Sequence, residues 1–383
     1  MKIIIAPDSF KGSLSALEVI ACIRESALKA FPDASIVEVP IADGGDGTVA
    51  ALVHATGGRT FQTAVRDPLG RTIICRYGDA NGTAVIGMSE ASGLALLKDE
   101  ERDPLQTSSH GTGDLIKKAL DDGYRDILIG IGGSATNDGG TGAMQALGMK
   151  YLRADGREIA HMRGAELENI VRIDDKALDV RLKKARITVM CDVNNPLTGP
   201  NGATYVYGPQ KGGTPETLKR LEAGMENHAE HLNTYAGYNA AGDAGAGAAG
   251  GIGAALHVFA GARLCRGIDA VLDLVRFDDM LKDADMVITG EGRVDSQSAC
   301  GKVIHGIAVR AKAAGVPVVV IAGSIGEGAQ AVYPLGVNTI VPLPDAPMTL
   351  DHCIQNAAEL ISKAADRAFS LISIGRNIKQ YYK

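Results

Sequence analysis

Ile127–Gly142, ILIGIGGSATNDGGTG, decides how the rest of the chain is read. Its first five residues, Ile127–Ile131, are apolar and rich in β-branched side chains, the pattern of a strand buried on both faces. The remainder is a loop of Gly, Ser, Thr and Asn with one carboxylate, Asp138. Open α/β sheets place their ligands at the carboxyl ends of strands, where a strand runs into such a loop. Glycines there let backbone N–H groups turn inward and form a concavity suited to anionic oxygens. The alternative is a tight turn that caps the next helix, so the stretch alone leaves both uses open.

Working outward, the same design opens the chain. Lys2–Ala6 reads as a strand, Pro7–Ser13 as a polar loop, and a helix follows from Ser15 to about Ala30. Ser15 and Glu18 have the spacing of a capping box, which sets the start of that helix. A strand at Ile36–Pro40 completes a β-α-β unit, whose parallel strands require a right-handed crossover. It runs into the loop at 42–48, ADGGDGT, and a helix to about Thr56. Thr60–Arg66, Arg71–Tyr77 and Thr83–Met88 then read as short strands separated by the turn sequences DPLG and DANG, an antiparallel meander. The α/β rhythm returns with a helix over Gly111–Asp122, the opening strand, a helix over Gly140–Leu147, a hairpin within Met149–Glu158, a strand at Ile187–Cys191 and a helix over Pro215–Ala236. Val287–Thr289 reads as a strand ending in a loop, Gly290–Ser296. A helix at about Lys302–Ala314, strands at Val318–Ala322 and Thr339–Pro342, and a long helix over Asp351–Ser373 follow.

The expected fold class is therefore α/β, with two α/β domains of mainly parallel sheets, one inserted in the other. A discontinuous Rossmann- or flavodoxin-like domain is expected from 1–72 plus 286–383, with an inserted α/β domain over 73–285. At 383 residues the chain is long for one core, which points the same way. G-A-G-A-A-G at 245–250 matches dinucleotide spacing, but no strand precedes it, so close packing of a Gly/Ala segment is the better use.

Composition narrows the function. The 48 glycines cluster after apolar runs, as in ligand loops, and aromatics are only 4% of the chain with no tryptophan, which disfavours base-stacking surfaces. A net charge of −6 leaves no basic footprint for nucleic acid or an anionic membrane. No run approaches the length of a membrane span, and the amino terminus has no signal-peptide pattern. The six cysteines are scattered without a CxxC, as expected for reduced thiols. Together these indicate a cytoplasmic protein with small-molecule partners, a monomer or homodimer.

Five strand-end loops carry carboxylates: Asp8/Ser9/Lys11, Asp43/Asp46/Thr48, Ser134/Asn137/Asp138, Asp192/Asn194 and Glu291/Arg293/Asp295/Ser296. Each alone is an ordinary cap or turn. Five together would repel unless a cation sits among them, and Mg²⁺ suits oxygen-only donors. With glycine nests, that set suits phosphoryl transfer. No Walker A motif is present, because Gly301-Lys302 is followed by Val303 and Ser296 stands where its first glycine belongs. No G-x-S-x-G elbow occurs either. His228 and His231 read as an exposed polar helix face rather than a zinc site, and His110 as a helix-start residue.

MKIIIAPDSFKGSLSA at the amino terminus, the ADGGDGT loop, DPLGR, GIGGSATNDGG, CDVNNPL and TGEGRVDSQS together resemble the glycerate kinase type 1 family, over essentially the whole chain. Within it the likeness is to the bacterial D-glycerate 2-kinases, which phosphorylate glycerate with ATP and Mg²⁺. The resemblance implies two α/β domains with the active site in the interdomain cleft, and catabolism of glycerate from glyoxylate or sugar diacids. A glycerate 3-kinase and a non-catalytic small-acid sensor are the alternatives.

Expected roles follow from side-chain chemistry. Arg66, Arg71 and above all Arg293 suit the glycerate carboxylate, with Asp8 and Ser9 also at the substrate. Lys11 would neutralise the transferring phosphoryl group. Asp192 is the expected base, and Asp138 a second catalytic carboxylate. Asp43, Asp46 and Asp295 are expected at the metal. Gly132, Gly133, Ser134 and Asn137 would bind phosphate or nucleotide.

Overall fold

The structure, a computed structural model, describes residues 1–41, 44–45 and 47–381. The chain divides into two compact units, one of residues 1–43, 54–56 and 268–383, the other of 44–53 and 57–267. Strands are numbered in chain order: β1 Lys2–Ile5, β2 Ser35–Glu38, β3 Arg59–Arg66, β4 Thr72–Ala80, β5 Thr83–Gly87, β6 Asp126–Gly130 and β7 Lys150–Leu152. They continue as β8 Arg172–Asp174, β9 Arg186–Met190, β10 Arg263–Cys265, β11 Met286–Val294, β12 Val318–Ile325 and β13 Val337–Pro342.

In the first unit five strands lie in the order β13-β12-β11-β1-β2, all parallel. Ile3, Ile4, Ile5, Val287 and Ile288 are fully buried, so the central strands are apolar on both faces, as parallel sheets require. Strand order reverses between β1 and β11, which makes their carboxyl ends the topological switch point. The helix Ala16–Ala30 starts where Ser15 and Glu18 cap each other's backbone, as their spacing predicts. Its face of Val19, Ile20, Ile23 and Ala27 joins Ile361, Ala364, Ala365 and Phe369 of the helix Ala357–Tyr381 in one core cluster. The single terminal helix expected from the sequence is two, Leu350–Gln355 and Ala357–Tyr381, separated at Asn356.

The second unit carries six strands in the order β10-β9-β6-β5-β4-β3. β5, β6, β9 and β10 pair in parallel, and β3-β4-β5 form the expected antiparallel meander. The meander is hydrogen-bonded through β5 into this sheet, so residues 59–72 group with the second unit rather than with the chain's first strands. The expected hairpin within Met149–Glu158 forms, with an antiparallel bridge between Leu152 and Glu158, and β7 also pairs with β8. β11 is longer than its apolar run: Gly290–Val294 stays in the sheet, in register with β12 from Gly290↔Ile321 to Val294↔Ile325. Glu291 and Arg293 are therefore strand residues, not loop residues. Among the described residues no helix is long and apolar enough to cross a membrane.

Candidate functional site

At the switch point of the first unit, Asp8 follows β1 and its N–H donates to Gly290 O of β11 at 2.9 Å. The Asp8 carboxylate accepts from Ser9 N at 2.6 Å and is 8% exposed. Beside it, Glu291 is also 8% exposed and accepts from Ser298 Oγ. Burial pushes the Glu291 carboxyl up to about 7; the Ser298 hydroxyl opposes the shift and the Asp8 charge adds to it. A buried acid held near neutrality is the state a proton acceptor at physiological pH requires. Lys11 follows in the same loop and is exposed. Arg293, two residues along β11 from Glu291, is exposed and pairs with Asp295 at 3.2 Å. Asp295 itself caps the turn Ser296–Ala299, accepting from Gln297 N at 2.9 Å.

In the second unit, β6 ends in the glycine loop. Gly132 N donates to Gly44 O and Ala135 N to Ser92 O, at 3.1 and 2.9 Å. Those two N–H groups are thus consumed by the fold, including one expected to bind phosphate. The N–H groups of Gly133 and Ser134 have no acceptor among the described residues. Ser134 Oγ accepts from Lys211 Nζ at 2.9 Å, and the same ammonium donates to Thr136 O at 2.7 Å. The loop thus offers two adjacent N–H donors and a hydroxyl, an anion-binding composition.

Asp138 holds this loop in shape. It is fully buried and accepts from Ser109 N and Oγ, both at 2.8 Å, and from Gly140 N and Gly142 N, both at 3.1 Å. Burial raises its pKa, against four donors that favour the anion. Asn137 is fully buried and donates to Thr204 Oγ1 at 3.3 Å, while its Oδ1 has no partner. His228 is not on an exposed face, as its polar helix suggested. It is fully buried, its ring meets Gly139 O at 3.2 Å, and burial pushes its pKa down to about 4. Gly139 is obligatory there, because at φ +64° a Cβ would stand 2.4 Å from the His228 ring. The Gly/Ala stretch packs on the same loop: Gly139 N donates to Gly250 O at 2.9 Å, and a Cβ on Gly250 would sit 2.0 Å from Thr136 O.

The remaining expected residues serve several positions. Arg71 is committed to Asp67 and Glu101 and closes the DPLGR turn. Arg66 faces His110, at 2.7 Å, on the helix His110–Asp121. Asp192 is exposed and accepts from Gly267 N at 2.8 Å, at the start of the helix Gly267–Leu274. Asp43 and Asp46 lie outside the described residues. No group of three or more His, Cys, Asp or Glu side chains that could hold a metal occurs among the described residues.

The sequence model of the glycerate kinase family matches residues 3–373. The chain belongs to the glycerate kinase family. Among its relatives, a glycerate kinase of Haemophilus influenzae is 49% identical over 90% of this chain and 91% of that protein. A glycerate 2-kinase of Escherichia coli is 45% identical over 98% of this chain and 99% of that one. A crystal structure of a candidate glycerate kinase 2 from Salmonella typhimurium LT2 superposes with a TM-score of 0.87 at 45% identity, covering 98% and 99% of the two chains.

For a glycerate kinase, two residues stand out that carry no signature in the sequence. Glu291 lies between two glycines, which give the sequence there the look of a loop, although it follows an apolar run that reads as a strand. Lys211 lies 77 residues from Ser134, in a GPQKGG segment with no motif around it, and nothing local points to the loop.

Proposed function

We propose that the chain transfers the terminal phosphoryl group of ATP to the 2-hydroxyl of D-glycerate. The observation that carries this reading is the full-length likeness to a protein named glycerate 2-kinase. The site chemistry supports it. Glycerate presents a carboxylate and two hydroxyls, so the enzyme must hold the first and deprotonate one of the second. Arg293 would hold the carboxylate through its guanidinium fork, with Ser9 beside it. Glu291 would take the hydroxyl proton, a role better suited to it than to Asp192, whose carboxylate caps a helix. Lys11 would neutralise charge on the transferring group. The N–H groups of Gly133 and Ser134 would hold anionic oxygens, and Asp138 would keep that loop in shape.

Mg²⁺ fits only in one way. In phosphoryl-transfer sites it is usually held by one or two carboxylates and by the substrate phosphates themselves. Asp8, a single buried carboxylate at the switch point, is a donor set of that size and leaves Glu291 to take the proton. When bound with the nucleotide, Mg²⁺ would shield the phosphate charge. Asp295 is a poorer candidate, since its oxygens already serve Arg293 and Gln297 N. A cytoplasmic location fits this reading. ADP release that depends on glycerate tests it; a sensor binds without turnover.

A further inference from the structure

Lys211 is 1% exposed, yet no carboxylate pairs with it. Its ammonium meets two oxygens, Ser134 Oγ and Thr136 O, both in the glycine loop. Removing an amine from water without a counter-ion costs stability, and full burial pushes its pKa down to about 7, against the weaker pull of Asp138. A purely structural lysine is a poor solution here, because an apolar chain of similar volume fills the same space at lower cost.

The hydrogen-bond geometry supplies a different reason. A serine hydroxyl that accepts from an ammonium must donate its own hydrogen elsewhere, and Ser134 O–H has no acceptor among the described residues. The two unpartnered N–H groups of the loop are those of Gly133 and Ser134 itself. We infer that Lys211 is a positioning residue, which from beneath the loop fixes the Ser134 hydroxyl as a third donor, alongside these N–H groups, to an anionic phosphate or carboxylate oxygen. The inference rests on the reading of the loop as the anion site of the proposed kinase. It adds that the loop's affinity is set by a side chain that never touches the ligand.

The test is steady-state kinetics on Lys211→Met, Ser134→Ala and the double variant, with ATP and glycerate varied separately, alongside thermal unfolding and calorimetric binding of each substrate. Each single variant is expected to raise KM and Kd for the same one substrate about 10-fold or more, with kcat changed less. The substrate affected identifies the oxygen, ATP for phosphate or glycerate for carboxylate. Because Lys211 acts through Ser134, the double variant is expected to be no worse than Ser134→Ala, and Lys211→Met to melt at or above the wild-type temperature. Losses that multiply in the double variant, or a lowered Tm with both KM values intact, would overturn the inference. If Lys211→Met does not fold, unchanged KM values in Ser134→Ala overturn it alone. A wild-type chain without glycerate-dependent ADP release would instead sink the proposed function, and the calorimetric Kd values would still decide the role of Lys211.

Discussion

Replacing Glu291 by Gln separates two consequences of one carboxyl group, with opposite signs. The side chain is 8% exposed, and burial raises its pKa from an ordinary 4.5 to about 7. Because the folded value lies above the unfolded one, the protonated acid favours folding. That contribution is complete below about pH 4.5 and is lost as the pH rises through about 7. The gap corresponds to about 3 kcal/mol at about 1.36 kcal/mol per pH unit. Glutamine keeps the shape and does not titrate. The stability of Glu291→Gln relative to wild type should therefore be roughly 2–3 kcal/mol more favourable at pH 8 than at pH 5. Urea unfolding at the two pH values, in chelator and without nucleotide, measures it. If the group accepts the substrate proton, kcat should also fall by about 100-fold or more. A stability difference equal at both pH values would show that the carboxyl ionises normally. An unchanged kcat would remove Glu291 from the chemistry.

Three further outcomes are expected. Lys11→Ala should lower kcat by about 100-fold or more in initial-rate assays, with a smaller change in KM for glycerate, if its charge acts mainly in the transition state. Arg293→Lys should raise KM for glycerate about 10-fold and leave KM for ATP unchanged, because a lysine cannot reproduce a bidentate fork. Asp138→Asn should lower stability by about 2–5 kcal/mol in thermal or urea unfolding, since its NH2 would replace one accepting oxygen and face either the Gly140 N–H or the donors from Ser109 and Gly142.

Much of the fold is legible along the chain because its signals are local. The Ser15–Glu18 capping box and the isoleucines of β1 and β6 each specify an element from within a few residues. The G-A-G-A-A-G segment reads as packing because it lacks a preceding strand, and Gly250 does pack on Thr136. What stayed hidden depends on partners distant in sequence. Glycines at 290 and 292 made the end of β11 look like a loop, but pairing with β12 carries it to Val294. The meander's membership of the second sheet is decided by β5 pairing with β6, about forty residues on. His228 looked solvated on a polar helix, and only the approach of Gly139 shows that it is core. Asp138 was legible as important and misleading as to why: its four donors come partly from Ser109, which sequence spacing does not connect to the loop.

The most direct measurement is ³¹P NMR of the product formed from D-glycerate, ATP and Mg²⁺ by the purified chain. The proposed function predicts ADP together with 2-phosphoglycerate, both dependent on glycerate. Formation of 3-phosphoglycerate would contradict the assigned position, and ATP left intact in the presence of glycerate would contradict the assignment of a glycerate kinase reaction to this chain.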